Sequence, residues 1–127
     1  MKKSAKYTAL VVEDDFASRQ YLSFLLKRFN IEVVSAESGE QALLLIKDED
    51  VDILLLDIAL GPGITGIQLC EQLKLDARFS GTPAVAVTAF AKGNLEEFDR
   101  VGFSDYLAKP YTVDQLKELL SKYIKLI

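Results

Sequence analysis

Acidic, hydroxyl and ammonium side chains directly follow four of the five short apolar runs in this sequence, where they could share one chemical task. Glu13-Asp14-Asp15 follows the first run, Asp57 the third, Thr88 the fourth and Lys109 the fifth. Carboxylates held close together raise one another's pKa, a cost that is explained if a cation lies between them. The candidate ligands are oxygen atoms, which favours Mg²⁺ over Zn²⁺.

Such a set of residues predicts phosphoryl chemistry. A carboxylate beside Mg²⁺ can attack a phosphoryl group and hold it as an acyl phosphate. The cation and the Lys109 ammonium would neutralise the charge on the equatorial oxygens, and the Thr88 hydroxyl would donate to one of them. Each residue also has an ordinary interpretation, as a helix-end charge, a loop cap, a β-forming threonine or a solvated lysine. Their joint position beyond four apolar runs favours the chemical interpretation.

Composition limits the classes of protein to which the chain can belong. Its 127 residues fit one domain, and 50% of them are hydrophobic, enough for a full core. The formal net charge of -4 argues against nucleic-acid binding and against a polybasic membrane anchor. The absence of histidine excludes histidine-based catalysis, and the single cysteine, Cys70, fits a reducing cytoplasm. We therefore expect one cytoplasmic domain over residues 1–127, with no output domain and no membrane insertion.

Apolar runs of strand length alternate with longer amphipathic segments. The runs Ile53–Leu56 and Ala84–Val87 are continuously apolar, as in strands buried on both faces of a parallel sheet. Ser38, Thr65 and Thr112 each stand three residues before a glutamine, a spacing typical of helix N-termini. The pattern predicts an α/β fold, a doubly wound five-stranded parallel sheet with helices on both faces, whose ligands bind beyond the carboxyl ends of the strands. The predicted strands are Tyr7–Val12, Val33–Ala36, Ile53–Leu56, Ala84–Val87 and Tyr106–Ala108.

Four fragments, in order, carry a resemblance to a known family. They are Leu10-Val11-Val12-Glu13-Asp14-Asp15, Ile53-Leu54-Leu55-Leu56-Asp57, Val87-Thr88-Ala89-Phe90 and Gly102-Phe103-Ser104-Asp105-Tyr106-Leu107-Ala108-Lys109-Pro110. Through them the chain resembles the receiver domains of response regulators in two-component signalling, over essentially its whole length. The resemblance implies a flavodoxin-like strand order, 2-1-3-4-5, and a phosphorylation-dependent signalling switch.

The resemblance also implies roles at a metal and phosphoryl site. By position, Asp57 is the phosphoacceptor and a ligand of Mg²⁺, and Asp14 is a direct ligand. Glu13 acts mainly through a bound water, and the main-chain carbonyl of Ala59 is the third protein ligand. Asp15 is not a ligand in this alignment, although its charge can tune the site.

Three further residues receive roles from the resemblance. Lys109 pairs with the phosphoryl group, Thr88 moves to bond it, and Tyr106 is the aromatic switch that follows. The signal is then expected on one face of the domain. That face comprises Asn94–Val101, Asp105–Ala108 and Val113–Ile124.

A receiver of this kind implies protein partners rather than a classical enzyme activity. The implied phosphoryl donor is a phosphohistidine on a sensor histidine kinase or on a histidine phosphotransfer protein, and the domain assists its own phosphorylation and dephosphorylation. Since no output domain is expected, the signal would leave by contact with a downstream protein or by onward transfer in a phosphorelay. Direct binding to nucleic acid is not expected.

The sequence departs from the family pattern in places. Glu13 stands where receivers often carry aspartate, and Gly66 falls one residue later than in the commonest spacing, with the proline displaced to Pro62. These changes leave the path of the loop after the acceptor open. Family experience places the residues that tune phosphoryl lifetime at Ala59 and Phe90, and neither side chain can position a water by hydrogen bonding.

Three alternative functions fit the sequence less well. A flavin- or nucleotide-binding domain of the same fold would need a Gly-rich loop after the first strand, but the loop here is acidic and would repel a phosphate. An aspartate-nucleophile phosphatase carries its nucleophile after the first strand, whereas Asp57 follows the third. A degenerate receiver that only binds partners is disfavoured by the intact set of Asp14, Asp57, Thr88 and Lys109.

Overall fold

The computed structural model describes residues 6–89 and 95–126, with the side chain of Leu95 excepted. Phe90 and Asn94, which figured in the sequence predictions, lie outside these residues. The strands are β1 (Thr8–Val12), β2 (Glu32–Ala36), β3 (Ile53–Leu56), β4 (Ala84–Thr88) and β5 (Asp105–Ala108). The α-helices are α1 (Phe16–Arg28), α2 (Gly39–Leu45), α3 (Gly66–Leu75), α4 (Leu95–Val101) and α5 (Val113–Ser121), and a 3₁₀ turn spans Ile46–Asp48.

The five strands form one parallel sheet in the order β2-β1-β3-β4-β5, which confirms the predicted fold class. All five strands lie within one residue of the predicted ranges. The register pairs Val12 with Leu56 and Thr88 with Ala108. The residues that follow β1 and β3 therefore emerge side by side, and those that follow β5 emerge at the same carboxyl edge with β4 between, where the chemistry was predicted.

The sheet separates two hydrophobic cores, and alternate residues of each strand point to opposite faces. From β1, Ala9 and Val11 enter the core beneath α1 and α5, while Leu10 and Val12 enter the core beneath α2, α3 and α4. All four are at most 1% exposed. Burial on both faces explains why the runs in β3 and β4 are continuously apolar rather than alternating.

Two helix starts next to the sheet edge are held by reciprocal capping. The Thr65 hydroxyl accepts from the Gln68 N–H at 3.1 Å, and the Gln68 side chain accepts from the Thr65 N–H at 2.9 Å. Thr112 and Gln115 make the same pair of bonds at the start of α5. Each arrangement satisfies two N–H groups that lack a partner within the helix, so α3 and α5 begin at defined residues.

The third predicted capping box, at α2, is only half formed. The Ser38 hydroxyl accepts from the Gln41 N–H at 3.1 Å, as expected. The Gln41 side chain, however, accepts from the N–H of Glu37 at 2.7 Å, one residue before the expected donor. The backbone at Ser38 has a φ of -150°, against -79° at Thr65 and -93° at Thr112, where the box is complete.

No helix in the described ranges is long and apolar enough to span a bilayer; the longest, α1, has 13 residues.

Candidate functional site

Three carboxylates meet where β1 and β3 end. The Asp57 N–H donates to the Val12 carbonyl at 2.9 Å, and this bond continues the parallel ladder one residue past β3. Carboxylate oxygens of Glu13, Asp14 and Asp57 consequently lie within 4.8 Å of one another. Glu13 and Asp57 are buried, at 4% and 7% exposure, and Asp14 is exposed. A group of hard oxygen donors open to solvent on one side suits a hydrated Mg²⁺ ion.

Lys109 projects from the end of β5 into this acidic group. Its ammonium forms an ion pair with Glu13 Oε1 and lies 3.5 Å from Asp57 Oδ2. Burial lowers the pKa of Lys109, but the bonds and charges of Glu13 and Asp57 outweigh burial, and the pKa is raised above its usual value of 10.5. The lysine therefore stays charged at neutral pH and partly neutralises two buried carboxylates.

The two oxygens of Glu13 have different partners. Oε1 accepts from Lys109, and Oε2 accepts from the Asp15 N–H at 3.0 Å. A carboxylate held at both oxygens is less open to a cation than Asp14, whose side chain is exposed. Direct coordination of a cation by Asp14 and contact through water by Glu13 stay predictions.

Asp15 has a capping task instead. Its carboxylate accepts from the Ser18 N–H at 2.8 Å and caps α1, and it is not part of the group of three clustered carboxylates. The hydrogen bond from Ser18 lowers the pKa of Asp15 below its ordinary value. The triplet in the sequence thus divides into two clustered acids and one helix cap.

The loop after Asp57 closes tightly on that residue. The Ala59 N–H donates to Asp57 Oδ1 at 3.1 Å, and the Gly66 N–H donates to the Ile58 carbonyl at 3.1 Å. A Cβ added to Gly66 would overlap the carbonyl oxygen of Asp57, so the first residue of α3 is in direct contact with the backbone of Asp57. The loop is one residue longer than the commonest family spacing. The extra residue is accommodated between the Asp57–Ala59 bond and the Ile58–Gly66 bond.

Thr88 and Tyr106 lie on neighbouring strands, Thr88 at the carboxyl end of β4 and Tyr106 two residues before the end of β5. Thr88 ends β4 and is fully buried, and its carbonyl accepts from the Lys109 N–H at 3.0 Å. Tyr106 pairs in register with Ala86, and its side chain is 41% exposed. The Tyr106 side chain therefore lies at the protein surface in this structure.

Two residues near the site were missed by the sequence reasoning. The Arg19 guanidinium donates to the Glu13 carbonyl at 2.8 Å and lies 3.8 Å from Glu37, which links α1 to the acidic segment. Glu40 accepts from the Ile64 N–H at 2.9 Å and links α2 to the loop after Asp57. Polar side chains in the first turns of amphipathic helices look like ordinary solvated positions, so the sequence carried no specific signal for either.

Comparison with known proteins finds relatives over nearly the whole chain. The family model described as response regulator receiver domain matches residues 9–121. The polar-differentiation response regulator DivK of Brucella ovis is 31% identical over 118 residues, which cover 92% of this chain and 95% of that protein.

Solved structures show the same fold. The chemotaxis protein CheY4 of Vibrio cholerae matches with a TM-score of 0.88 at 24% identity, over 94% of this chain and 99% of that one. The receiver domain of a sensor histidine kinase from Pseudomonas aeruginosa PAO1 matches with a TM-score of 0.84 at 25% identity, over 93% of this chain and 97% of that chain. That structure contains a magnesium ion coordinated in its active-site cleft.

Proposed function

The chain belongs to the response regulator receiver domain family, whose members are regulatory switches rather than classical enzymes, and we propose that Asp57 is its phosphoacceptor. One observation carries the proposal. The Asp57 carboxylate lies within 4.8 Å of two other carboxylates and 3.5 Å from the Lys109 ammonium. This concentration of charge at the carboxyl edge of a parallel sheet supports a site for a cation and a phosphoryl group together.

The proposed cofactor is Mg²⁺. The carboxylates of Glu13, Asp14 and Asp57 and the main-chain carbonyl of Ala59 would hold it, with Glu13 acting through water. All are oxygen donors, and the exposed Asp14 leaves room for bound water. When bound, the ion supplies positive charge that offsets the repulsion between the carboxylates and the incoming phosphoryl group.

The proposed reaction is phosphoryl transfer from a phosphohistidine. An oxygen of Asp57 attacks phosphorus, a P–O bond forms, the P–N bond to the donor imidazole breaks, and the departing imidazole takes a proton from solvent. Lys109 stabilises charge on the transferring oxygens, and the Thr88 hydroxyl donates to one of them. In this way the domain assists its own phosphorylation, and water attacking the acyl phosphate reverses the modification.

The proposed output starts at Thr88. A hydroxyl drawn toward the phosphoryl group leaves space behind it on β4, and the Tyr106 ring on β5 can occupy that space. Tyr106 is now 41% exposed, so an inward movement would change the surface formed by α4, β5 and α5. A tyrosine with two side-chain positions would let phosphorylation at Asp57 change the surface that a partner contacts.

The proposed partners are proteins. The donor would be a sensor histidine kinase or a histidine phosphotransfer protein, and the signal would leave through a downstream protein or by onward transfer. The net charge of -4 argues against direct contact with nucleic acid. We place this exchange in the cytoplasm, consistent with the free thiol of Cys70.

The test is phosphorylation by acetyl phosphate with Mg²⁺, measured by intact mass. The wild type should gain one phosphoryl group that is labile to hydroxylamine, and Asp57→Asn should gain none because an amide is not a competent nucleophile. Asp50→Asn removes an exposed carboxylate elsewhere and should behave as the wild type. Equal labelling of Asp57→Asn at another carboxylate would rule out the assignment.

The proposed output is tested by amide NMR with a beryllium fluoride phosphoryl mimic. Shifts should reach α4, β5 and α5 in the wild type and should shrink there in Thr88→Ala, which still binds the mimic. Shifts confined to the loops around Asp57 in the wild type would contradict the route through Tyr106.

A further inference from the structure

The loop after Asp57 contains two glycines, which restrict its backbone weakly, on either side of a proline. Gly61, Pro62 and Gly63 follow one another, and Gly63 has a φ of 105°, in the left-handed region that favours glycine. A glycine-rich segment loses much conformational freedom when it is ordered, so a single path requires contacts that fix it.

One such contact comes from a different helix. Glu40, in the first turn of α2, accepts from the Ile64 N–H at 2.9 Å. A Cβ on Gly63 would lie 2.7 Å and 2.8 Å from the two Glu40 carboxylate oxygens, so the carboxylate lies directly against the backbone of the loop. Glu40 and this bond are exposed to solvent, which screens the charge, so the acceptor oxygen rather than the charge is expected to hold the amide.

A second contact joins the same two segments. A Cβ on Gly39 would overlap the Ile64 side chain, so the start of α2 also fits closely against Ile64. The loop is therefore fixed at its ends by the Ala59–Asp57 and Gly66–Ile58 bonds, and at Gly63 and Ile64 by contacts with α2.

We propose that Glu40 is a positioning residue for this loop: by holding the Ile64 amide it fixes the path of residues 58–66, which carry Ala59 and close against Asp57. The inference rests on the proposed roles of Asp57 and Ala59. Glu40 itself touches neither the phosphoryl group nor the cation in this arrangement. It acts by keeping the Ala59 carbonyl and the Asp57 backbone in place.

The test compares wild type with Glu40→Ala, Glu40→Gln and, as a control, Glu71→Ala. Glutamine keeps an acceptor oxygen without the charge, and Glu71 is an exposed acid on α3 whose removal changes the net charge equally. The measurements are the Mg²⁺ dissociation constant by amide NMR, the rate of phosphorylation by acetyl phosphate, hydrogen exchange at the Ile64 amide, and the urea unfolding midpoint.

Glu40→Ala should weaken Mg²⁺ binding and slow phosphorylation by about 3- to 10-fold, the loss expected for one hydrogen bond. It should speed exchange at Ile64 and leave the unfolding midpoint near that of the wild type. Glu40→Gln and Glu71→Ala should stay within about twofold of the wild type in Mg²⁺ affinity and rate.

Three results would overturn the role of Glu40: unchanged Mg²⁺ affinity and rate in Glu40→Ala, an equal loss in Glu40→Gln, or an equal loss in Glu71→Ala. The last two would mean that net charge alone is responsible. A wild type that gains no phosphoryl group would instead defeat the proposed function, while Mg²⁺ affinity and Ile64 exchange would still decide the role of Glu40.

Discussion

Replacing Gly66 with alanine tests the tight closure of the loop on Asp57. Helix propensity alone predicts that alanine at the first position of α3 would stabilise the protein, by up to about 1 kcal/mol. Steric contact predicts the opposite, because the added carbon would overlap the carbonyl oxygen of Asp57 and lie 2.7 Å from both its carbonyl carbon and Ile58 Cα.

The steric effect should win. Carbon atoms pack at about 3.5–4.0 Å, so the start of α3 and the Asp57 backbone must separate by roughly 1 Å. The obstructing atoms belong to the backbone and cannot rotate away. We expect Gly66→Ala to lower the free energy of unfolding by about 1–3 kcal/mol, the usual cost of overpacking. Displacement of the Asp57 backbone should slow phosphorylation by about one to two orders of magnitude.

The assays are urea unfolding followed by circular dichroism and phosphorylation by acetyl phosphate followed by intact mass. Gly81→Ala is the matched control, because a Cβ at Gly81 has no neighbour within 4 Å. It should leave both stability and rate close to the wild type. A Gly66→Ala protein that is as stable as the wild type and is phosphorylated at the same rate would refute the steric reasoning.

Three further perturbations address acidic residues and the half-buried Tyr111. Asp14→Ala should weaken Mg²⁺ binding by at least about tenfold, and Asp15→Ala far less, in an amide NMR titration; the opposite ranking would mean that the cap and the ligand are exchanged. Burial raises the pKa of Tyr111 to about 12, so the stability gained by keeping its phenol protonated is present below pH 10 and is lost as the pH rises to about 12. An ultraviolet titration should show that Tyr111→Phe lacks this late ionisation, and a titration curve unchanged at high pH would contradict the assignment. Burial raises the pKa of Asp105, but hydrogen bonds from the neighbouring amide and from the end of α5 outweigh it and lower the pKa below 3.8. The stability that comes from the ionised Asp105 is present above about pH 3.8 and is lost as the pH falls through the folded-state pKa. Asp105→Asn should lower the free energy of unfolding by about 0.5–1 kcal/mol at pH 7 and by less at pH 3. Equal losses at pH 7 and pH 3 in urea unfolding would contradict this linkage.

The fold was predictable because its strongest signals are local. A run such as Ile53–Leu56 is apolar at every position only when both faces of the strand are covered, and this pattern identified a parallel sheet before its order was known. The meeting of Glu13, Asp57 and Lys109 followed from the same reasoning, since all three come directly after strands. The roles assigned to them in phosphoryl transfer stay predictions.

What the sequence could not supply are contacts that depend on side-chain geometry. The pairing of Lys109 with Glu13 as well as Asp57 depends on how far a glutamate extends beyond β1. The link from Glu40 to Ile64 spans 24 residues and has no periodicity that a pattern could reveal. A charged residue in the first turn of a short helix has an ordinary explanation, and the structure is needed to find another.

The closure of the loop after Asp57 bears on how such proteins change in length during evolution. The bond between the Gly66 amide and the Ile58 carbonyl joins the two ends of the segment, and the cap at Thr65 sets the residue where α3 begins. Only the exposed part of the loop before Gly63 lies outside these contacts, since a Cβ at Gly61 has no neighbour within 4 Å. Insertions should therefore be tolerated between Gly61 and Pro62, and a single residue added beyond Gly66 would instead rotate α3 by about 100° against its core.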